Sequence, residues 1–340
     1  MEKKSDVSKV ADLVNGFQQS CVLVAMIQVG LVERLAQGPA DVPTLAADLE
    51  LHPPSLTRLL RALSGLGMAR HDDSGWQLTS AGKLLGKDGM GAGIRAWAEL
   101  VGGEYLGAWG GLRHSLQTGE PSFPAIFGET VWQHRQKNPA LDDSFQRLTR
   151  GQQARAVSGL TRAYDFSAYS TVMDVGGGHG QLLAGLLQAY PTMNGVLFDL
   201  PHVIAGAEPL LEKAGVLKRC RLVSGSFLET PPETAKLYLL KHVLHNWNDA
   251  QCRTILQHLA GAMEQGGKLL VLENLLPEDD GEVDLPLAML DLHMLAVLGG
   301  QERKASEYAS LLAAAGLRLQ RHLTTRVGAP DILEATLEEC

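Results

Sequence analysis

What this chain lacks narrows it first. Its 340 residues hold only four cysteines, Cys21, Cys220, Cys252 and Cys340, scattered and with no CxxC pair among them. That spacing argues against a zinc ribbon and a disulfide framework. Positive charge is not in excess: the formal net charge is -8, so no global field gathers nucleic acid or anionic lipid. The opening MEKKSDVSKVADLV is charged, with no apolar segment leading to a small-residue cleavage site. The longest apolar run nearby, CVLVAMIQVGLV, reads as too short to span a bilayer. A reducing cytoplasm is therefore the expected compartment, with neither a membrane nor a nucleic acid as partner. There is no internal repeat and no low-complexity segment. What remains is a soluble globular composition, 45% apolar and 20% charged, long enough for two domains with separate cores.

Two pattern regimes follow each other. To about residue 160 the apolar spacing is helical, as in VADLVNGFQQSCVLVAMIQVGLVERLAQ. From Thr171 onward the β-rich runs TVMDV, MNGVLFDL, CRLVSGSF, KLYLLK and GKLLVLENLL alternate with helical stretches. That alternation marks a parallel α/β sheet, with its border near DFSAYS. Within the first regime, a short helix over Thr44–Asp48, a second from Pro54–Ser55 to Leu63 and a hairpin in MARHDDSGWQLT read as a winged helix. Such a unit can bind DNA. Here the second helix offers only Arg58 and Arg61 among leucines, and Asp72 and Asp73 in the wing repel phosphates. Packing and dimerisation is the reading that fits.

The stretch TVMDVGGGHGQLLAGLLQAYP is a strand, a glycine turn and a helix. Gly176, Gly178 and Gly180 alternate behind Asp174, so a ligand can lie on bare backbone amides at a helix N-terminus. A dinucleotide fingerprint needs its third glycine where Gln181 stands, and a P-loop needs a Gly-Lys-Ser/Thr that does not follow. What is left is either a tight βα turn or a loop that resembles the cofactor loop of class I S-adenosylmethionine (SAM) methyltransferases. Asp199 ends the next strand about 20 residues on, where a carboxylate can accept ribose hydroxyls. One strand later comes LVSGSF, and after it LYLLKHVLHNW. Together these form a nucleoside crevice at the C-terminal edge of the sheet.

His242 and His245 in LKHVLHNWND stand three residues apart and can be read as metal ligands, as a base beside a bystander, or as core residues. Zinc needs three or four ligands, and the nearest additions are Asp249 and Cys252. Side chains three apart at a strand end also point to opposite faces. No metal is therefore expected.

The segments FGETVWQHRQKNPALDDSF, DVGGGHG, FDLPHV, LKHVLHNWND, VLENLLP and DLHMLAVLGGQERKASEY occur in that order. Together they resemble the small-molecule O-methyltransferases of the plant caffeate and hydroxyindole type and their bacterial antibiotic-tailoring relatives. The resemblance covers nearly the whole chain. It implies an α/β fold: a Rossmann-like class I methyltransferase domain preceded by a mostly helical winged-helix dimerisation domain that makes a homodimer. The expected borders are 1–100 for the dimerisation domain, 101–160 for connecting helices that contribute to the substrate pocket, and 161–340 for the SAM-binding domain.

The same resemblance implies roles. Asp174 and the loop with Gly176 and Gly178 would face the methionine moiety of SAM, Asp199 the ribose and Leu200 the adenine. Lys241 would pair with the SAM carboxylate or adjacent backbone, and Trp247 would wall the cofactor site. Ser226, beside Phe227, stands where the family has an acid for the adenine amine, and Thr149 where it commonly has methionine. His245 would be the general base, Glu273 would hold its far ring nitrogen, and Glu302 would orient the same ring. Asp291 and Met294, with Trp109 and Phe127, would line a pocket for a small aromatic acceptor in secondary metabolism. The competing functions are N-methylation of a heteroaromatic such as a phenazine, which needs no base, and a winged-helix regulator that binds DNA.

Overall fold

Local capping sets the first helices. The computed structural model describes residues 5–229, 233–279, 281, 284–325 and 329–338, with 151–155 described as helical backbone only. Cys340 lies outside the described residues. Four helices come first: α1 (Asp6–Gln28), α2 (Leu31–Ala36), α3 (Val42–Asp48) and α4 (Pro53–Gly65). The Asp41 carboxylate accepts the Thr44 N–H at 2.9 Å and so caps α3. α4 opens on Pro53, whose missing N–H costs nothing in a first turn. It buries Leu56, Leu60 and Leu63, one face at helical spacing. These pack with Met26, Leu31 and Leu45 in a core belonging to this half. The hairpin follows as β1 (Ala69–Asp72) and β2 (Gly75–Leu78), antiparallel.

α1 corrects one expectation. The run CVLVAMIQVGLV is short, but the helix that contains most of it begins at Asp6 and has 23 residues. By length and composition it could cross a membrane, with a mean hydropathy of 1.4 over its most apolar window, and only 17% of that window is buried. Val7, Val10, Leu13, Val14 and Phe17 are exposed on it.

The chain divides into two compact units, Met1–Leu106 with Asn138–Gly151, and Gly107–Lys137 with Gln152–Cys340. The expected borders at 100 and 160 differ from this division, because the connecting segment is shared between the units.

The second unit is built on a seven-stranded sheet. Its strands are β3 (Thr171–Val175), β4 (Asn194–Asp199), β5 (Cys220–Ser224), β6 (Ala235–Lys241) and β7 (Met263–Glu273). A pair β8 (Leu275–Leu276) and β9 (Arg303–Lys304) stands apart, and β10 (Leu317–Leu323) and β11 (Asp331–Leu337) complete the large sheet. The order is β10-β11-β7-β6-β3-β4-β5. The five strands from β7 to the β5 edge are parallel, while β11 joins β7 and β10 joins β11 antiparallel.

Alternation sorts the side chains onto two faces. Tyr238, Leu240, Leu269 and Val271 enter one core, while Leu237, Leu239, Leu270 and Leu272 enter the other. Burial on both faces explains why these strands read as continuous apolar runs. The chain leaves β3 toward β4 on one side and returns to β6 on the other, and ligands bind at such a switch point, at the C-terminal strand ends. Leu239 is 0% exposed in the central strand, so Leu239→Ala is expected to cost about 2–5 kcal/mol in urea unfolding. A loss of only a few tenths would contradict this packing.

Candidate active site

The glycine loop leaves β3 with three left-handed residues, Gly176, Gly178 and Gly180, at φ of +69°, +61° and +80°. Only glycine adopts these angles without strain. Gly180 then caps the helix Gln181–Ala189. Asp199 ends β4 and ties the loop to it: its Oδ2 accepts the Gly178 N–H at 2.8 Å and its Oδ1 the Leu200 N–H at 2.7 Å. Asp174, one residue before the end of β3, is buried, and its Oδ2 has no hydrogen-bond partner among the described residues. Burial pushes this carboxyl up to about 7, with Lys241 opposing and Asp199 adding to the rise. Lys241 ends β6, and burial pushes its ammonium down to about 8 against the pull of Glu273 and Asp174. An orphaned acceptor and a desolvated cation on neighbouring strands suit a ligand carrying both an ammonium and a carboxylate. The methionine moiety of SAM is such a group.

An aromatic wall stands nearby. Trp247 meets the edge of Phe227 at 5.7 Å and stacks with Trp132 at 6.5 Å. Its buried Nε1 has no hydrogen-bond partner among the described residues. Leu200 opens the short helix Pro201–Ile204. Ser226 bonds locally, accepting the Leu228 N–H at 3.3 Å. Thr149 donates to the Gln146 carbonyl of its own helix.

The histidines lie just past β6. His242 takes a left-handed backbone at φ +52°, and Leu244–Asn246 then forms a 3-10 turn. Beneath that turn, Glu273 at the end of β7 is fully buried. Its Oε1 accepts the Val243 N–H at 3.1 Å and the His245 N–H at 3.3 Å. Its Oε2 lies 3.3 Å from His242 Nδ1 and 3.6 Å from His245 Nδ1. Glu302 Oε1 stands 2.8 Å from His245 Nδ1. This corrects the expected division of labour: Glu302 holds the far ring nitrogen, because Glu273 is occupied by the amides of the turn and by His242. Asp291 Oδ1 in turn accepts the Glu302 N–H at 2.8 Å.

Arg303 braces the same turn from within the fold. Its buried guanidinium donates to the Leu244 carbonyl at 3.2 Å, the Trp247 carbonyl at 2.8 Å and Asp249 at 2.8 Å. Gly300 presses close as well: a Cβ there would stand 2.0 Å from the His245 carbonyl oxygen. Neither residue announces itself in the sequence, because each meets this turn largely at its backbone.

A carboxylate can only accept, so the hydrogen of a neutral His245 is assigned to Nδ1, and Nε2 keeps a lone pair. Burial by itself would lower the His245 pKa, but the Glu273 and Glu302 carboxylates outweigh it and hold the ring above the usual 6.5. For Glu273 burial is likewise outweighed, by His245 and His242, and its pKa is lowered. Glu302 goes the other way: burial, only partly offset by His245, raises it.

The rings of His242 and His245 stack at 5.2 Å and 30°. The expectation that they point to opposite faces fails, because the strand ends at Lys241 and the chain turns. His242, His245 and Glu273 even bring ligand atoms within 4.8 Å of one another. Both Nδ1 atoms face carboxylates at hydrogen-bond distance.

The residues expected around the acceptor are set on three neighbouring segments. Trp109 donates its indole N–H to His293 Nδ1 at 3.2 Å. Phe127 packs on Phe123 with ring centroids 4.4 Å apart, and His134 closes on both rings. Ser122 Oγ lies 2.6 Å from the Ala108 carbonyl and 3.0 Å from that of Ala296, pinning the segments together. Met294 is buried at the start of the π-turn Met294–Leu298. His293 is pushed down to about 4 by burial, with Arg135 and His245 adding to the effect.

An O-methyltransferase domain model matches residues 109–318 and an O-methyltransferase dimerisation domain model matches 11–88. Phenazine O-methyltransferase PhzM of Lysobacter antibioticus is 36% identical over 329 residues, covering 96% of this chain and 95% of that one. The solved mitomycin 7-O-methyltransferase MmcR superposes with a TM-score of 0.90 at 33% identity, with 97% of each chain covered. NcsB1, an O-methyltransferase of neocarzinostatin biosynthesis, was solved with S-adenosyl-L-homocysteine and 1,4-dihydroxy-2-naphthoic acid. It superposes at 0.83 with 30% identity, covering 94% of this chain and 96% of that one.

Glu302→Gln is expected to lower the pKa of the His245 ring, followed by imidazole NMR titration. An unchanged or raised value would contradict the assignment of Glu302 to that ring.

Proposed function

This chain belongs to the SAM-dependent O-methyltransferase family, and from that premise we propose that His245 is the general base that deprotonates an aromatic hydroxyl as it is methylated. The observation that carries the reading is the 2.8 Å contact between His245 Nδ1 and Glu302, which leaves Nε2 as the proton acceptor. SAM supplies a methyl group on a sulfonium, a leaving group already activated by its charge. The residues must then align the two partners and supply a reactive oxygen. A phenol with a pKa of about 10 is mostly neutral near pH 7. Nε2 takes its proton, and Glu302 stabilises the imidazolium that forms, as the carboxylate of a serine protease triad does. Such base catalysis contributes roughly 10²–10⁴-fold.

On the cofactor side, Asp174 and Lys241 would hold the amino-acid end, the amides of the loop with Gly176 and Gly178 its backbone, and Asp199 the ribose. Leu200, Ser226, Phe227 and Trp247 would surround the adenine end. On the acceptor side, Trp109, Phe127 and Met294 would enclose a flat hydroxylated ring system. The relatives named for phenazine, mitomycin and naphthoate substrates support an acceptor of that type. Leu13, Val14 and Phe17 on the exposed apolar side of α1 lie within the residues that match the dimerisation domain, which supports a homodimer formed through the N-terminal region. Burial against a second copy would also account for a helix apolar enough for a membrane.

His245→Gln is expected to lower turnover of a hydroxylated aromatic by roughly 10²–10⁴-fold, with SAM binding by calorimetry retained. Turnover within a few fold of the parent would refute the base. In the parent, kcat/KM is expected to be full at high pH and to fall as pH drops through the His245 pKa. Because that pKa is held above 6.5, the fall comes at a higher pH than for an ordinary histidine.

A further inference from the structure

We propose that His242 is a positioning residue that allots the two buried carboxylates: by engaging Glu273 Oε2 it leaves His245 Nδ1 to Glu302. The proposal rests on the reading of His245 as base and adds what keeps that base in one arrangement. Three observations carry it. First, Glu273 Oε2 has two imidazoles in reach, His242 Nδ1 at 3.3 Å and His245 Nδ1 at 3.6 Å. Glu302 Oε1 meets the second at 2.8 Å, so two carboxylates compete for one N–H. A donor from His242 settles that competition.

Second, the backbone places His242 for this purpose at a cost. Its φ of +52° is left-handed, a region in which a non-glycine residue is strained and persists only when its surroundings hold it. They do: its N–H donates to the Leu272 carbonyl at 3.0 Å, and its carbonyl accepts Asn246 Nδ2 at 3.0 Å. Third, its ring stacks on that of His245 at 5.2 Å and 30°, which limits rotation of the base about its own side-chain bonds.

His242 stays neutral while it does this. Burial and the Lys241 cation push its pKa down to about 4, against the pull of Glu273. It therefore keeps an Nδ1 hydrogen for Glu273 without placing a second positive charge beside His245. The charged and titratable groups around His245 are Lys241, His242, Glu273 and Glu302, with His293 and, behind Glu302, Asp291.

Substitutions that tolerate the left-handed backbone separate the hydrogen bond from the strain. His242→Gly accepts φ +52° without strain and removes the donor. His242→Asn tolerates the same conformation and returns an N–H₂ donor near the position of Nδ1. The holoenzyme dimer is assayed with SAM and a hydroxylated aromatic, measuring kcat, both KM values and the pH profile.

In His242→Gly, kcat is expected to fall by roughly 10- to 100-fold with the KM for SAM unchanged. The low-pH limb of kcat/KM is expected to move to higher pH, as the freed Glu273 carboxylate turns to His245. His242→Asn is expected to recover most of the loss and return the limb toward its original place. A merely structural role would lower the melting temperature and leave the limb where it was, and that result overturns the proposal. So does a His242→Gly enzyme with parental kcat, or a His242→Asn enzyme no better than glycine. Failure of the base reading itself shows separately, as His245→Gln retaining turnover.

Discussion

Glu273 sits at the end of β7 with its carboxylate fully buried, and a bare charge there would be very costly. The fold meets that cost with polar groups from one short turn: the N–H groups of Val243 and His245 and the ring of His242. The turn is therefore shaped around the carboxylate. It leaves β6 at Lys241, reverses at a left-handed His242 and presents His245 with its Nδ1 toward the far side of the site. Glu302, whose N–H is held by Asp291, meets the ring there, and Arg303 holds the carbonyls flanking the turn. His245 is thus fixed by contacts that mostly involve backbone. A buried carboxylate costs stability unless satisfied, and the groups that satisfy it here are the ones that aim the His245 ring.

A similar pattern holds on the neighbouring strands. Asp199 uses one oxygen on the Gly178 amide and the other on that of Leu200, so loop and strand end move as one. Asp174 and Lys241 remain desolvated and opposed in charge, with pKa values drawn toward each other, to about 7 and about 8. A zwitterionic ligand offers each the counter-charge that the protein itself leaves incomplete.

Much of this was legible in the sequence, and the parts that were not have a common cause. Apolar runs gave the parallel strands because burial on both faces leaves a continuous signal, and the glycines gave the loop because left-handed angles demand them. The antiparallel β10 and β11 were missed: LRLQRHL and DILEATL are polar enough on one face to pass for loop. The residue types at the site were readable, but not which carboxylate met which nitrogen. That depends on a turn whose geometry is set by Glu273, 28 residues beyond His245 along the chain. The same turn brings together two histidine rings that strand alternation would have sent apart. Arg303 and Gly300 were silent because they meet the turn largely at its carbonyl oxygens, and α1 was underestimated because its apolar run is preceded in the helix by a mixed stretch.

The central claim is that His245 presents an unprotonated Nε2 to the acceptor while Nδ1 holds its hydrogen for Glu302. The ¹⁵N chemical shifts of the His245 imidazole, recorded in the complex with S-adenosyl-L-homocysteine at a pH above its titration, report this directly. The account predicts a protonated Nδ1 and a bare Nε2. The opposite tautomer, with hydrogen on Nε2, would leave no lone pair facing the acceptor and would contradict it.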